Sequence, residues 1–354
     1  MNEHPVVKVA FLDVGQGDTN IISLPATKEA VIIDCADAQA VMSYLEYGGI
    51  QHLRGLLVTH LHLDHYGGVV QLLNNVEREL QLDCERVFFH RPLLINTLHN
   101  SILNNEDNHA DGELGERERN RKRKNSITGL LEWAKRHKER YNNLTIQPGV
   151  SLPLEGIIEL LHPWEVDIPE LLSHGLNSTS AIIKVKGTNS SALLTGDIEP
   201  ESWARIEDKN SLQCDVLKFP HHGAWKDDTV TSLLDTINPS VVVISVGTSG
   251  IRYGHPNQHV FAAIAQLPGV RLLCTQATAQ CASHIGEKQS QVIELFRQQA
   301  NERSDFFFVE QKGCPCAGTV IVELGESARL LQPAIELHQE QIIQGYCDNH
   351  KCII

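Results

Sequence analysis

Apolar and polar positions change period along the chain, and the changes mark out elements. Residues 6–12, Val-Val-Lys-Val-Ala-Phe-Leu, alternate loosely and predict a strand, as do Asn20–Leu24 and Ala30–Ile33. Gln39–Tyr47 carries a helical pattern stopped by Gly48-Gly49. The apolar run Leu56, Leu57, Val58 reads as a buried strand, Tyr66–Asn75 as a helix and Arg86–Phe89 as a short strand. From about 99 to 143 the chain turns charged and helix-compatible, and Ile127, Leu130, Leu131 and Ala134 recur at helical spacing. Ser126–Arg140 is therefore expected to be an amphipathic helix laid across the body. Strand patterns return over Gly149–Leu161, Thr179–Lys186, Ser191–Leu194, Asp215–Phe219, Val241–Val246, Leu272–Gln276 and Thr319–Val322, and Leu330–Gly345 reads as a closing helix.

Behind the run ending at Val58 comes Thr-His60-Leu-His62-Leu-Asp64-His65-Tyr-Gly67-Gly68. Side chains two apart on an extended segment share a side, so His60 and His62 can chelate one ion. Asp64 and His65, past the bend, can reach a second beside it, and the glycine pair allows a tight turn into the next helix. The other reading is a histidine-rich surface loop. Four ligand-type side chains at chelating spacing behind a strand make the metal reading the stronger one.

Composition narrows the class. The 354 residues are 42% hydrophobic and 21% charged, ordinary for a globular protein with one large domain or two smaller ones. The apolar runs are too short to span a bilayer and the start Met-Asn-Glu-His-Pro has no signal-peptide pattern, so a cytoplasmic location is expected. Nine cysteines, an odd number, point to reduced thiols and metal ligands rather than a disulfide framework. A net charge of −14 gives no global pull on nucleic acid, so such contact has to come from a local basic patch and the metal ions. Arg121-Lys122-Arg123-Lys124 is the candidate patch, either a lid attracting a phosphate-bearing substrate or a solvated helix face.

The His-x-His-x-Asp-His stretch resembles the metallo-β-lactamase superfamily of binuclear hydrolases. Phe11-Leu-Asp-Val-Gly-Gln-Gly-Asp18, Thr195-Gly-Asp197, Leu217-Lys218 with His221-His222-Gly223, and Gly254-His255-Pro256 are similar to its ComEC-type branch and that branch's free-standing relatives. Leu176-Asn-Ser-Thr-Ser180 stands where other superfamily members carry a Gly-His motif, which weakens a β-lactamase reading. The resemblance implies an α/β fold, a four-layer αββα sandwich with the metals at one end of two sheets. The resemblance covers roughly residues 6–260 and leaves 99–147 outside it as a charged helical insertion; residues 1–325 are expected to form the hydrolase domain and 326–354 a helix and Cys/His-rich tail. Asp197 would bridge the ions, a carboxylate having two oxygens to share. One histidine of the pair would join His60, His62 and Asp197 around the first ion; adjacent extended side chains diverge, and the expectation leans to His221 over His222. Asp64, His65, Asp197 and His255 would hold the second ion. Asp18 would bond a ligand's free N–H and Asp34 would lie near the metal loop, unless they are turn residues, and Lys218 would add positive charge or be an exposed strand residue.

Two ions, zinc with manganese or iron as alternatives, would lower the pKa of a bridging water and supply hydroxide near neutral pH. The expected activity is that of a phosphodiesterase or nuclease in which Asp64 and Asp197 take part. Hydrolysis of a lactone, thioester or other acyl substrate is the alternative. A metal-bound partner-recognition module, using the insertion or the tail, is a non-enzymatic one. Cys281-x-x-His284 and Cys314-Pro-Cys316 can make a structural Cys3His zinc site, with Cys347, His350 and Cys352 as further donors.

Overall fold

The structure, a computed structural model, describes residues 5–90, 95, 113–147, 151–226, 228–248, 254–281 and 285–346. Its strands are β1 (Val7–Phe11), β2 (Asn20–Leu24), β3 (Glu29–Ile33), β4 (His52–Leu57), β5 (Val87–Phe88), β6 (Tyr141–Asn142), β7 (Ile158–His162), β8 (Ile182–Lys186), β9 (Ser191–Leu194), β10 (Val216–Lys218), β11 (Val241–Ile244), β12 (Arg271–Cys274), β13 (Val320–Leu324) and β14 (Ala328–Gln332). One sheet runs β14-β13-β1-β2-β3-β4-β5-β6 and the other β12-β11-β10-β9-β8-β7.

Side-chain alternation builds the layers. Val31, Ile33 and Leu57 of the first sheet meet Ile183, Leu194, Val216 and Val243 of the second in a core between the sheets. The intervening Ile32 and Leu56 point outward to α1 (Ala38–Tyr47) and α3 (Val69–Glu79). Leu217, Val242 and Leu272 point the other way, onto α5 (Thr229–Ile237), α6 (Gln258–Ile264) and α7 (Ile285–Glu302). Strands with two buried faces lose the apolar-polar alternation of a half-exposed strand, which is why these segments read as short continuous apolar runs. The result is the αββα sandwich that the resemblance implies.

Two boundaries differ from expectation. The charged segment is a crossover within the first sheet: α4 (Glu113–Arg136) starts earlier and ends sooner than Ser126–Arg140, and β6 then pairs parallel with β5, Val87 opposite Tyr141. Ile127, Leu130, Trp133 and Ala134 join the same outer core as Leu72, Leu73 and Val76 of α3. At the far end, Leu330–Gly345 is not one helix. Ala328–Gln332 pairs antiparallel with β13, so a division at 325/326 would cut a hairpin, and Pro333 separates β14 from a π-helical segment, Glu336–Ile343. Among the described residues no helix is long and apolar enough to cross a membrane.

The loop after β1 ties the two sheets together at one end. The Gly15 N–H (3.2 Å) and Gln276 Nε2 (2.8 Å) donate to Asp13 Oδ1. Gln276 Oε1 in turn accepts from the Thr248 N–H at 2.8 Å. Burial nevertheless pushes the Asp13 carboxyl up to about 7, outweighing both hydrogen bonds. An acid whose pKa rises on folding stabilises the native state fully below its unfolded pKa, near 4, and loses that contribution as pH climbs to about 7. Asp13→Asn keeps an acceptor oxygen and removes the proton linkage. Urea denaturation should find the variant close to wild type at pH 4 and gaining on it by up to about 1.4 kcal/mol per pH unit towards pH 7. Parallel pH profiles of the two proteins would contradict this.

Candidate metal centre

The metal loop leaves β4 and enters the one-turn α2 (Leu63–Tyr66) where the ends of both sheets meet. His60 Nε2 stands 3.1 Å from His62 Nδ1 and 3.9 Å from Asp197 Oδ2. His65 Nε2 is 3.2 Å from the same carboxylate oxygen. Asp197 sits three residues beyond the end of β9, where Gly196 in the left-handed region (φ 52°) turns the chain, and its N–H donates to Ser180 Oγ. Gly17 serves a different need: a side chain there would strike the Asp64 carbonyl, and its absence lets the neighbouring Asp18 N–H donate to that carbonyl at 2.9 Å.

Asp34 is the orienting group for His65. Its Oδ2 meets His65 Nδ1 at 2.8 Å, while Thr59 gives its N–H to Oδ1 and its hydroxyl to Oδ2, both at 2.7 Å. The bond to Nδ1 leaves Nε2 free to face Asp197. Asp18 does something other than expected: its Oδ1 lies 3.7 Å from His222 Nδ1 and its Oδ2 3.9 Å from His65 Nδ1, too far for good hydrogen bonds. Its close partner is Lys218, completely buried, whose Nζ also donates to the Gly196 carbonyl at 3.0 Å and lies 3.6 Å from Asp197 Oδ1.

Of the paired histidines, the inward one is His222. Its Nδ1 donates to the Ser245 carbonyl at 2.8 Å, and its Nε2 stands 3.4 Å from both Asp64 Oδ2 and Asp197 Oδ2. This corrects the lean to His221, and it moves the histidine from the His60–His62 side to the Asp64–His65 side. The segment is no extended strand. His221, His222 and Gly223 all have positive φ (47°, 51° and 79°), a left-handed turn that non-glycine residues adopt at a cost of about 1–3 kcal/mol each. His221 is swung to the rim, with Nδ1 2.8 Å from Glu199 Oε1 and its ring 5.7 Å from that of His255. His255 therefore accompanies His221, and the convergent donor groups among the described residues do not include it. Glu199, with Asn177 donating to its Oε1 at 3.1 Å, was not anticipated, although it lies two residues after Asp197.

The donors that converge among the described residues are His60, His65 and Asp197, then Asp64, His65 and His222, with Asp18 and Asp34 behind His65. Their chemistry suits divalent cations. His65 Nε2, His222 Nε2 and Asp197 Oδ1 are buried without hydrogen-bond partners, an arrangement that folded proteins avoid unless something else satisfies the atoms. Asp18, Asp34 and Asp197 also gather around Lys218, while Asp64 faces His222. Burial opposes charge on all of them. For Asp197 the neighbouring His222, His65 and Lys218 outweigh it and hold the carboxyl well below its usual range. For His65 the carboxylates of Asp197 and Asp34 outweigh it and raise the imidazole. His60, with burial unopposed by so close a carboxylate, is held well below its ordinary value.

The model of the metallo-beta-lactamase superfamily matches residues 12–76, the span from the end of β1 through the metal loop into α3. Over that span, and in its two-sheet α/β fold, the chain matches the metallo-β-lactamase superfamily. Within it the similarity runs to the ComEC-type branch: ComE operon protein 3 of Bacillus subtilis (strain 168) is 23% identical over 288 residues, 76% of this chain and 32% of that protein. The chain thus spans about a third of that relative's length. Hydroxyacylglutathione hydrolase of Dechloromonas aromatica (strain RCB) is 46% identical over 67 residues, 19% of this chain and 24% of that protein. Among solved structures, the metallo-beta-lactamase fold protein YhfI from Bacillus subtilis aligns over 76% of this chain and 96% of its own, with 10% identity and a TM-score of 0.41. Metallo-β-lactamase proteins typically bind divalent metals, usually zinc, and the residues gathered here could hold them.

The cysteine cluster is a separate matter. Cys281, Cys314 and Cys316 are buried, and backbone bonds lay 275–277 beside 314–316, with the Ala277 N–H to the Cys314 carbonyl at 2.9 Å and the Cys316 N–H to the Thr275 carbonyl at 3.0 Å. His284, Cys347, His350 and Cys352 lie outside the described residues. Cys316 Sγ faces His338 Nε2 at 3.6 Å, and the described residues assemble no convergent three-donor group here.

Two substitutions test this architecture. Asp34→Ala removes the partner of His65 Nδ1, and calorimetric titration should find zinc binding about 10–100-fold weaker in a folded protein; unchanged affinity would remove Asp34 from the orienting role. Lys218→Met in the presence of EDTA leaves Asp18 buried without its cation and should lower stability by about 3–5 kcal/mol in chemical denaturation. The Asp18→Asn/Lys218→Met double variant should recover most of it, and equal losses in single and double variants would show that the pair is not coupled.

Proposed function

We propose that this protein is a metal-dependent phosphodiesterase, with single-stranded nucleic acid or a nucleotide as its substrate class. The observation that carries the reading is the buried convergence of His60, His65, Asp64, His222 and Asp197 with donor atoms left unsatisfied. The extent of the likeness to ComE operon protein 3 favours the phosphodiester over the acyl bond. Two divalent ions in this site would supply a water nucleophile near neutral pH and electrophilic stabilisation suited to in-line displacement at phosphorus. His60, His62 and Asp197 would hold one ion and Asp64, His65, His222 and Asp197 the other.

The remaining residues do the positioning. Asp34 holds His65 in the tautomer that presents Nε2, and the Ser245 carbonyl does the same for His222. Lys218 fixes the orientation of Asp197 from behind. Asp64, with its side chain 34% exposed, stands at the mouth, where it can accept a hydrogen bond from an incoming nucleophile.

A second reading, hydrolysis of a thioester or related acyl substrate, is favoured by the short but closer match to hydroxyacylglutathione hydrolase. Metal-loaded protein assayed on bis-p-nitrophenyl phosphate, single-stranded DNA, cyclic nucleotides, an acylglutathione thioester and a lactone panel separates the two. Phosphodiester turnover is expected, falling at least a hundredfold in Asp64→Ala and Asp197→Ala. Acyl turnover without phosphodiester turnover would sink the first reading, and biological activity preserved in both folded variants would favour a non-catalytic role.

A further inference from the structure

In the basic run of α4, Arg121, Lys122 and Lys124 stand exposed, as a solvated helix face should, whereas Arg123 turns partly inward. Helical spacing accounts for it: Ile127, Leu130 and Ala134 follow Arg123 at four, seven and eleven residues and form the stripe that α4 lays on α3. Arg123 thus extends the buried face by one turn, past the last apolar residue. There the neighbour is the metal loop. The Arg123 guanidinium lies beside the Tyr66 hydroxyl, and its charge acts on His62.

Two polar atoms at this spot are left over. Arg123 Nε is buried without a partner in hydrogen-bond geometry, and the hydroxyl of the fully buried Tyr66 has only the Arg123 guanidinium beside it. Among the described residues no carboxylate forms an ion pair with Arg123, although the chain carries a net charge of −14. A half-buried guanidinium whose Nε is shielded and whose charge has no counter-ion is short of partners, and a ligand that brings an anion supplies them. Its planar fork matches two oxygens of a phosphate.

We propose that Arg123, with the Tyr66 hydroxyl beside it, binds a phosphate oxygen of the substrate next to the metal centre, making α4 the anion-recognition element of the site. Resting on the phosphodiesterase reading, this adds that recognition of the phosphate is local to one inward residue rather than spread over the basic run. It also answers the charge problem posed by an acidic protein with an anionic substrate.

Thymidine 5′-monophosphate, titrated calorimetrically into the zinc-loaded full chain, is the probe. Arg123→Ala should weaken its binding at least tenfold at unchanged zinc content, Arg123→Lys should fall between because an ammonium cannot make the forked contact, and the exposed-site control Arg121→Ala should stay within twofold. Wild-type affinity in Arg123→Ala would overturn the proposal, leaving its side chain as mere cover for the helix face, and so would failure of the wild type to bind the nucleotide. Should Arg123→Ala fail to fold, Arg123→Lys decides on the same criterion. Turnover of bis-p-nitrophenyl phosphate by the wild type is scored separately: its absence would remove the phosphodiesterase reading, while an Arg123-dependent nucleotide affinity would still establish the anion site.

Discussion

Gathering Asp18, Asp34, Asp64 and Asp197 at the ends of two sheets sets mutual repulsion and lost hydration against the fold, and Lys218 is the fixed charge that opposes both. Its position follows from register. As the last residue of β10, in the middle of the second sheet, it emerges between the strand-end loops that carry Gly196 and Asp197, and from there it reaches across to Asp18 of the first sheet. The ion pair therefore joins the two halves of the sandwich at the point where the candidate metal ligands meet. A lysine in a fully buried position is rare unless paired, and here the pairing explains both its burial and the neighbourhood of the carboxylates.

The surrounding backbone spends conformational strain in the same place. Asp34, His221 and His222 are left-handed without being glycine, and all three lie at strand-to-loop exits beside the site. For Asp34 this conformation sends the carboxylate back to both Thr59 and His65; for the histidine pair it separates one side chain for the interior from one for the rim. The layered core beneath, with every central strand buried on both faces, is what holds such residues in place.

Much of this was legible in the residues. The two-sheet architecture follows from the alternation of short apolar runs with helices and from the motif resemblance; the metal loop is legible as ligand chemistry at chelating spacing, while Asp197 and the place of Asp34 near it come from the resemblance. What escaped has physical reasons. The choice of His222 over His221 depends on a left-handed turn, which no side-chain periodicity reports. Glu199 is an ordinary acidic residue whose importance comes only from its proximity to His221. The crossover through α4 reads as an insertion because two-residue strands such as β5 and β6 carry too little pattern to be seen, and β14 merges with the helical pattern after it because its alternation is weak and its burial incomplete. Arg123 looked like its three basic neighbours until packing distinguished it.

The pairing of β6 with β5 also bears on how the site can move. A helix followed by a strand of the main sheet, and anchored to α3 through Ile127, Leu130 and Ala134, is part of the wall rather than a door. Swinging it away would break sheet hydrogen bonds and open the outer core together. His221, Glu199 and His255 stand instead outside the strands, on connections where only short segments would need to yield. Motion of those connections and loss of the frame would draw on different parts of the molecule, so the rim could loosen while the strands that align the buried His and Asp side chains stay paired.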